Sequence, residues 1–268
     1  MPASELRPDR PALVDTHAHL DDAAYAADHA EVVARAEAAG VTRVVTVGTD
    51  LPSCRRAIAL SELHAGVYAA VGVHPHEASR VDAVALGELR DLARRPKVVA
   101  IGEIGLDFYR DLSPRSDQRR AFRAQLTLAG ELGLPVVVHD REAHAEVLAT
   151  LREWAGSFPG AKGVLHCFSG DEAMAREALA LGFYVSFAGP LTYPNATRLQ
   201  RLAATLPLAS MLVETDCPYL TPAPLRGKRN EPANVALVAE KLAALRGLSL
   251  AQVAEATTDN AKRLLGLA

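Results

Sequence analysis

Two histidines one residue apart, His17 and His19, lie in the apolar run Leu13-Val14-Asp15-Thr16-His17-Ala18-His19-Leu20. Side chains alternate faces along a strand, so both imidazoles would project to one side and could chelate a single metal ion. A lone His-x-His pair is often incidental. Here four more ligand-type residues close other apolar runs. Glu103 follows Val98-Val99-Ala100-Ile101-Gly102, and His139 follows Pro135-Val136-Val137-Val138. His166 follows Gly163-Val164-Leu165, and Asp216 ends the run that begins at Met211. Each taken singly reads as a satisfied core or capping residue. A carboxylate directly behind an apolar strand, however, is costly to bury without a cation or hydrogen-bond donors. Five strand ends that all supply ligand-type residues are hard to explain by packing alone, and together they predict a metal site.

A site of this kind needs a scaffold that brings distant strand ends together. Short Val/Ile/Leu-rich runs predict strands at about 13–17, 43–47, 67–73, 98–102, 136–139, 163–166, 183–187 and 211–214. Helical spacing predicts helices at 25–39, 52–64, 81–94, 116–132, 142–154, 172–181 and 195–206, with Gly40, Gly66, Gly133 and Gly182 marking helix ends. Strands that read as continuous apolar runs need helices on their outer face, which calls for a parallel sheet. Eight such units in 268 residues predict an α/β fold, a (β/α)8 TIM barrel with its site at the C-terminal ends of the strands. The alternative, an open doubly wound sheet, lacks its Gly-x-Gly-x-x-Gly signature after the first strand. In a closed barrel the first and eighth strands are neighbours and the fourth to sixth lie opposite, so the candidate ligands would face each other across the mouth. A Pro/Arg-rich loop at 221–232 and two C-terminal helices complete one domain over 1–268, with 1–11 expected to be a flexible extension.

Composition narrows the class. Hydrophobic residues at 49% and charged residues at 23% describe a globular chain and argue against disorder. Lys+Arg 29 against Asp+Glu 32 gives a net charge of −3, which excludes a broadly basic nucleic-acid wrapper but not a local basic patch. Cys54, Cys167 and Cys217 are odd in number and far apart, which suggests a reducing compartment. Cys167 and Cys217 each follow a candidate ligand, so strand alternation turns them toward the barrel wall as small buried residues. The first residues carry charge and three prolines with no apolar targeting core. The uncharged stretch 178–197 is broken by Gly182, Gly189, Pro190 and Pro194 and does not read as a membrane span. A cytoplasmic protein is expected, with no membrane partner and no obligate protein partner evident. His29, His64 and His144 fall on predicted helices and read as surface residues. No Gly-x-Ser-x-Gly elbow is present.

The chain resembles the TatD family of metal-dependent hydrolases and deoxyribonucleases, within the amidohydrolase-like barrels. The resemblance rests on Asp15-Thr16-His17-Ala18-His19, Gly72-Val73-His74-Pro75-His76, Gly102-Glu103-Ile104-Gly105-Leu106-Asp107 and Val138-His139-Asp140-Arg141. It continues through His166-Cys167-Phe168-Ser169-Gly170, Glu214-Thr215-Asp216-Cys217-Pro218-Tyr219 and Arg229-Asn230-Glu231-Pro232, in the family's order. It implies two divalent ions per chain, Mg, Mn or Zn. His17, His19 and Asp216 would hold one, His139 and His166 the other, and Glu103 would bridge both. It also implies hydrolysis of DNA phosphodiester bonds by metal-activated water, with Asp216 as general base and single strands or 3′ ends as substrate. His74 would touch a substrate phosphate or the leaving group, or else support the site from behind; His76 reads as a loop residue. Arg141, Arg226 and Arg229 are candidate phosphate contacts, since loops after the last barrel strands often form phosphate sites. Lys228 reads as solvated surface charge, and Asp107 and Tyr109 as pocket lining. The alternative is an amidohydrolase-like enzyme acting on a small amide, lactone or ester, because one barrel and metal site can host many reactions.

Overall fold

The computed structural model describes residues 11–267; the expected N-terminal extension lies outside them except for Pro11. Eight strands form one parallel sheet in sequential order: β1 (Leu13–Ala18), β2 (Val41–Val47), β3 (Val67–Val71), β4 (Val98–Asp107), β5 (Val136–Arg141), β6 (Gly163–Leu165), β7 (Phe183–Phe187) and β8 (Met211–Val213). The ring closes just beyond β8. Ala18 and Cys217 form a parallel bridge, the Asp216 N–H donates to the His17 carbonyl at 2.9 Å, and the His19 N–H donates to the Cys217 carbonyl at 2.8 Å. Seven helices fill the crossovers: α1 (His29–Ala38), α2 (Leu51–Leu63), α3 (Ala83–Leu92), α4 (Arg115–Leu132), α5 (His144–Ser157), α6 (Glu172–Ala180) and α7 (Thr197–Thr205). Helices α8 (Val235–Arg246) and α9 (Leu250–Leu265) follow. This is the (β/α)8 barrel that the spacing of apolar runs predicts. Among the described residues no helix is long and apolar enough to cross a membrane.

Local chemistry sets the boundaries. The Asp50, Asp82 and Asp171 side chains accept the first free N–H groups of α2, α3 and α6, and Ser249 with Gln252 forms a capping box on α9. Tyr25, expected to open the first helix, instead ends a 3-10 turn capped by Asp22, and α1 begins at His29. The fourth strand runs five residues beyond its expected end at 102. It shifts register between Ile101 and Ile104 and then pairs residue by residue with β5 as far as Asp107 and Arg141. Gly105 makes this possible. It sits at φ +148, and a Cβ there would lie 2.0 Å from the His139 carbonyl oxygen. Gly66, expected as a helix cap, has no positive φ.

The apolar residues divide by strand alternation. One buried cluster, including Leu13, Val44, Ala69, Ile101, Val138 and Val213, packs the strands against the helices. A second, including Val14, Val45, Ala70, Ala100, Val137, Val164 and Leu212, faces the barrel interior and is joined by Ala261, Leu264 and Leu265 of α9. The interior is thus filled with hydrocarbon up to the level where the polar side chains of β1, β4 and the β8 end begin.

Candidate metal centre

Glu103 stands at the middle of the strand ends. It is 3% exposed, and its two carboxylate oxygens face different partners. Oε2 lies 3.4 Å from His17 Nε2 and 3.8 Å from His19 Nε2. Those two nitrogens are 3.2 Å apart, and Asp216 Oδ1 lies 3.6 Å from the first and 3.4 Å from the second. Four donors around a metal at about 2.0–2.2 Å would be separated by about 3.3–3.6 Å along the edges of a tetrahedron. The five measured separations scatter around that range. The donor set fits an ion.

Oε1 looks the other way. His139 Nδ1 is 2.7 Å from it, His166 Nε2 2.8 Å and His74 Nε2 3.4 Å, while His139 Nδ1 and His166 Nε2 are 3.5 Å apart. His74, Glu103 and His139 therefore also form a three-donor group. The tautomer of His74 separates it from the others. Its Nδ1 accepts the His76 N–H at 3.1 Å, so a neutral ring carries its proton on Nε2 and presents a donor, not a lone pair, to Glu103.

Two of the remaining ring nitrogens are held from behind by hydrogen bonds, as those of metal-bound histidines usually are, and two are not. His19 Nδ1 is 2.9 Å from the Val47 carbonyl. His139 Nε2 faces Asp107 Oδ2 at 3.3 Å, and His166 Nδ1 faces Glu214 Oε1 at 3.4 Å, an ion-pair distance rather than a closed hydrogen bond. His17 Nδ1 is buried without a partner and its ring stacks on His166 at 4.0 Å. Glu214 lies two residues before Asp216 and is not among the candidates that the sequence alone singles out. Strand alternation gives no signal for it, because both residues lie beyond the end of β8 and Asp216 sits at positive φ. Asp15 is another buried acid, and its role is structural. It accepts the Thr215 N–H at 2.9 Å and the Thr215 hydroxyl at 2.6 Å, which ties β1 to the chain after β8.

Charge follows from these contacts. Burial works against ionising Glu103, but His166 and His74 outweigh it and hold the carboxyl well below its ordinary value. Burial likewise opposes Asp216, and His19 with its neighbours keeps it ionised. Burial lowers His19, yet Asp216 and Glu103 overcome that and hold the ring at about 9. For His17 burial wins, reinforced by His166, and the ring is pushed down. His74 is pushed down to about 4, chiefly by burial, and is neutral at physiological pH.

A model of the TatD related DNase family matches residues 14–266. The chain belongs to this family. It is 44% identical over 252 residues to the uncharacterized metal-dependent hydrolase YabD of Bacillus subtilis, covering 94% of this chain and 98% of that one. It is 40% identical over 261 residues to a Klebsiella pneumoniae protein named 3′-5′ ssDNA/RNA exonuclease TatD, covering 95% and 98%. The crystal structure of YJJV, a TatD homologue of Escherichia coli K12, superposes with a TM-score of 0.90 at 33% identity and covers 96% of this chain and 98% of its own. The chain is a metal-dependent hydrolase acting on ester bonds.

In this TatD-family barrel the strand ends open into a cavity of about 840 Å³. His19, His74, Glu103, Asp107, His139, Arg141, His166 and Asp216 line it. Asp107 lines it as expected, but Tyr109 does not; its 63% exposed ring instead carries the Arg141 guanidinium 4.0 Å above it. The basic loop does not reach the cavity. Arg229 donates to Asp28 and Glu231 and covers the Tyr25 ring, so its guanidinium is committed to joining the loop to α1. Arg226 lies over Tyr193, and Lys228 is exposed. Arg56 and Arg110, which no sequence motif singles out, line the cavity in their place. His76 is more than a loop residue, since its Nε2 is 2.8 Å from Asp107 Oδ2. Cys217 is buried, as expected, but Cys167 is half-buried and lines the cavity. The backbone leaves the extended form at Cys167, with φ +43, so strand alternation no longer decides where its side chain points. His29 and His64 are half-buried and face each other at 5.7 Å, and His144 is paired to Asp140 at 2.8 Å.

Proposed function

We propose that this enzyme is a deoxyribonuclease that removes nucleotides from single-stranded DNA, in the 3′ to 5′ direction, with two divalent ions. The observation that carries the reading is Glu103, whose oxygens face two separate groups of imidazoles. His17, His19, Glu103 and Asp216 would hold one ion, and Glu103, His139 and His166 the other. Four imidazoles with two carboxylates suit Zn or Mn better than Mg. Bound there, the ions would supply electrophilic stabilisation of the phosphate and of the attacking water. The chain's own residues supply the rest. Asp216, kept ionised by His19 and His17, accepts the proton of the attacking water. His74, neutral with its proton on Nε2, donates to a phosphate oxygen. Arg141, exposed at the rim, positions the phosphate that follows. The name of the Klebsiella relative supports a single-stranded nucleic acid as substrate.

The acidic lining favours a second reading, a small neutral ester, lactone or amide, since eight carboxylates but only three arginines line the cavity. Labelled single-stranded DNA incubated with the purified protein, with and without EDTA, separates the two. Shortening of the strand that EDTA abolishes is the expected result. Intact DNA together with turnover of a small carboxyl ester would overturn the nuclease reading.

A further inference from the structure

We infer that Tyr219 and the Tyr109–Arg141 pair form a stacking clamp for unpaired bases on opposite sides of the cavity mouth. The inference rests on the nuclease reading and specifies how that substrate is held. Its starting point is the distribution of exposed apolar surface. Among the described residues five large hydrophobic side chains are strongly exposed; two of them, Leu112 and Tyr219, line this one opening, and a third, Tyr109, stacks on Arg141 of its lining. Exposed aromatic surface is unfavourable in water and marks a binding face when it clusters.

Both rings are held in place. Tyr219 is 55% exposed; its hydroxyl donates to Asp22 Oδ2 at 3.0 Å, and its ring meets the His19 ring at 6.1 Å with an angle of 65°. Tyr109 is 63% exposed; its N–H donates to Asp107 Oδ1 at 3.0 Å, and the Arg141 guanidinium lies 4.0 Å from its ring centroid. A guanidinium on an aromatic face is itself attractive and gives the pair a flat, rigid surface. Tyr109 follows β4 and Tyr219 follows β8, four strands apart in an eight-stranded ring, which puts the two residues on opposite sides of the metal centre.

Charge alone does not hold a polyanion here. Eight carboxylates line the cavity against Arg56, Arg110 and Arg141, so phosphates beyond the one at the ions meet a predominantly acidic wall. Stacking is indifferent to that charge, because every base offers a π-face. Inside a duplex a paired base has both faces covered by its neighbours, and even a terminal pair offers one face only, so a clamp that needs unpaired bases favours single strands.

The test compares a single-stranded oligonucleotide with the same strand carrying abasic residues at both ends. Binding is read by fluorescence anisotropy on phosphorothioate versions that resist cleavage, and turnover on the normal strands. Wild-type protein, Tyr109→Ala, Tyr219→Ala and the two Tyr→Phe variants are compared, all with metal content assayed. Each Ala variant should weaken binding of the normal strand about 5- to 150-fold, the range observed for loss of one stacked base. The expected pattern is a higher KM, nearly unchanged kcat, recovery in the Phe variants, and no added loss on the abasic strand. Equal losses on both strands, or Ala variants that bind the normal strand as wild type does, would overturn the clamp. If the wild type cleaves neither strand yet still prefers the normal one in a Tyr-dependent way, the nuclease reading fails and the clamp stands. If it cleaves both strands equally well and the Ala variants do the same, the clamp fails and the nuclease reading stands.

Discussion

Glu214→Gln isolates the support behind one group of donors. Glu214 is 1% exposed, accepts the Cys167 N–H at 2.6 Å, and lies 3.4 Å from His166 Nδ1. Glutamine has the same shape and keeps a carbonyl for the Cys167 N–H, so the loop after β6 should hold its course. What disappears is one negative charge beside the outer nitrogen of His166. For full unit charges at 3.4 Å that interaction is about 5 kcal/mol at an effective dielectric of 20, an upper limit because a metal-bound neutral imidazole carries only part of a charge. Loss of such an outer carboxylate usually costs about 10- to 100-fold in metal affinity or activity, equivalent to about 1.4–2.7 kcal/mol and inside that limit. If two ions bind as proposed, the expected result is a Kd for one of them raised by about that factor, the other little changed, and activity restored by excess metal. Competitive titration with a chromophoric chelator, run beside a turnover assay at rising Mn or Zn, measures both. If both Kd values stay at wild type, His166 is oriented by something else. If activity stays low with full metal content, Glu214 acts in the chemistry and not through the ion.

Asp216→Asn should retain part of the metal and lose about 10²–10⁴ in kcat, the usual cost of removing a general base, whereas His139→Ala should be partly rescued by excess Mn. A fully active, fully loaded Asp216→Asn enzyme would place the base elsewhere, with His74 next to test. Arg229→Ala should lower the melting temperature by calorimetry while leaving DNA binding and its salt dependence unchanged, because the guanidinium serves Asp28 and Glu231. Arg229 and then Arg35 hold the Asp28 carboxyl at about 2, so the contribution of this group is complete above the ordinary carboxylate range and is lost as pH falls through about 2. The variant should therefore show a shallower acid-side loss of stability, and an unchanged acid limb would count against the assignment. Stripping metal with EDTA should destabilise the folded chain, and metal at about 100 times its Kd should restore about 2.7 kcal/mol, or roughly 5–10 °C in melting temperature. A melting temperature indifferent to metal would show that the donor cluster binds none.

The barrel is legible in the sequence because its signal is repeated eight times: apolar strands, polar helices and glycine at several of the turns. The convergence of His17, His19, Glu103, His139, His166 and Asp216 follows from placing strand ends on a ring. Residues that act where the backbone stops being regular are harder to read. Asp216 and Cys167 both sit at positive φ, beyond the last residues of β8 and β6, so alternation along a strand says nothing about where they point. Glu103 lies inside a register shift of β4, and the strand continues past it to deliver Asp107. The basic loop misleads for a different reason. A run of Arg and Lys looks the same in sequence whether it meets a phosphate or a carboxylate, and Asp28, some 200 residues away, is visible as a partner only in three dimensions.

Charge around the centre also bears on which kind of nuclease the site suits. Several of the acids that line the cavity are already engaged: Asp21 accepts from Ser53 and Arg56, Asp107 from His76, and Asp140 from His144. Glu103 and Asp216 are the carboxylates that face the two donor groups, so two divalent ions would concentrate positive charge there, with Arg110 and Arg141 the further cations of the opening. At physiological ionic strength that field fades within about 8 Å, close to the spacing of one phosphate from the next along an extended strand. A groove that tracks a duplex needs positive charge along its length, as nonspecific duplex binders show. On the nuclease reading the ions would hold one phosphate and Arg141 the next, with a predominantly acidic wall beyond, a charge pattern that would suit an enzyme working from a chain end.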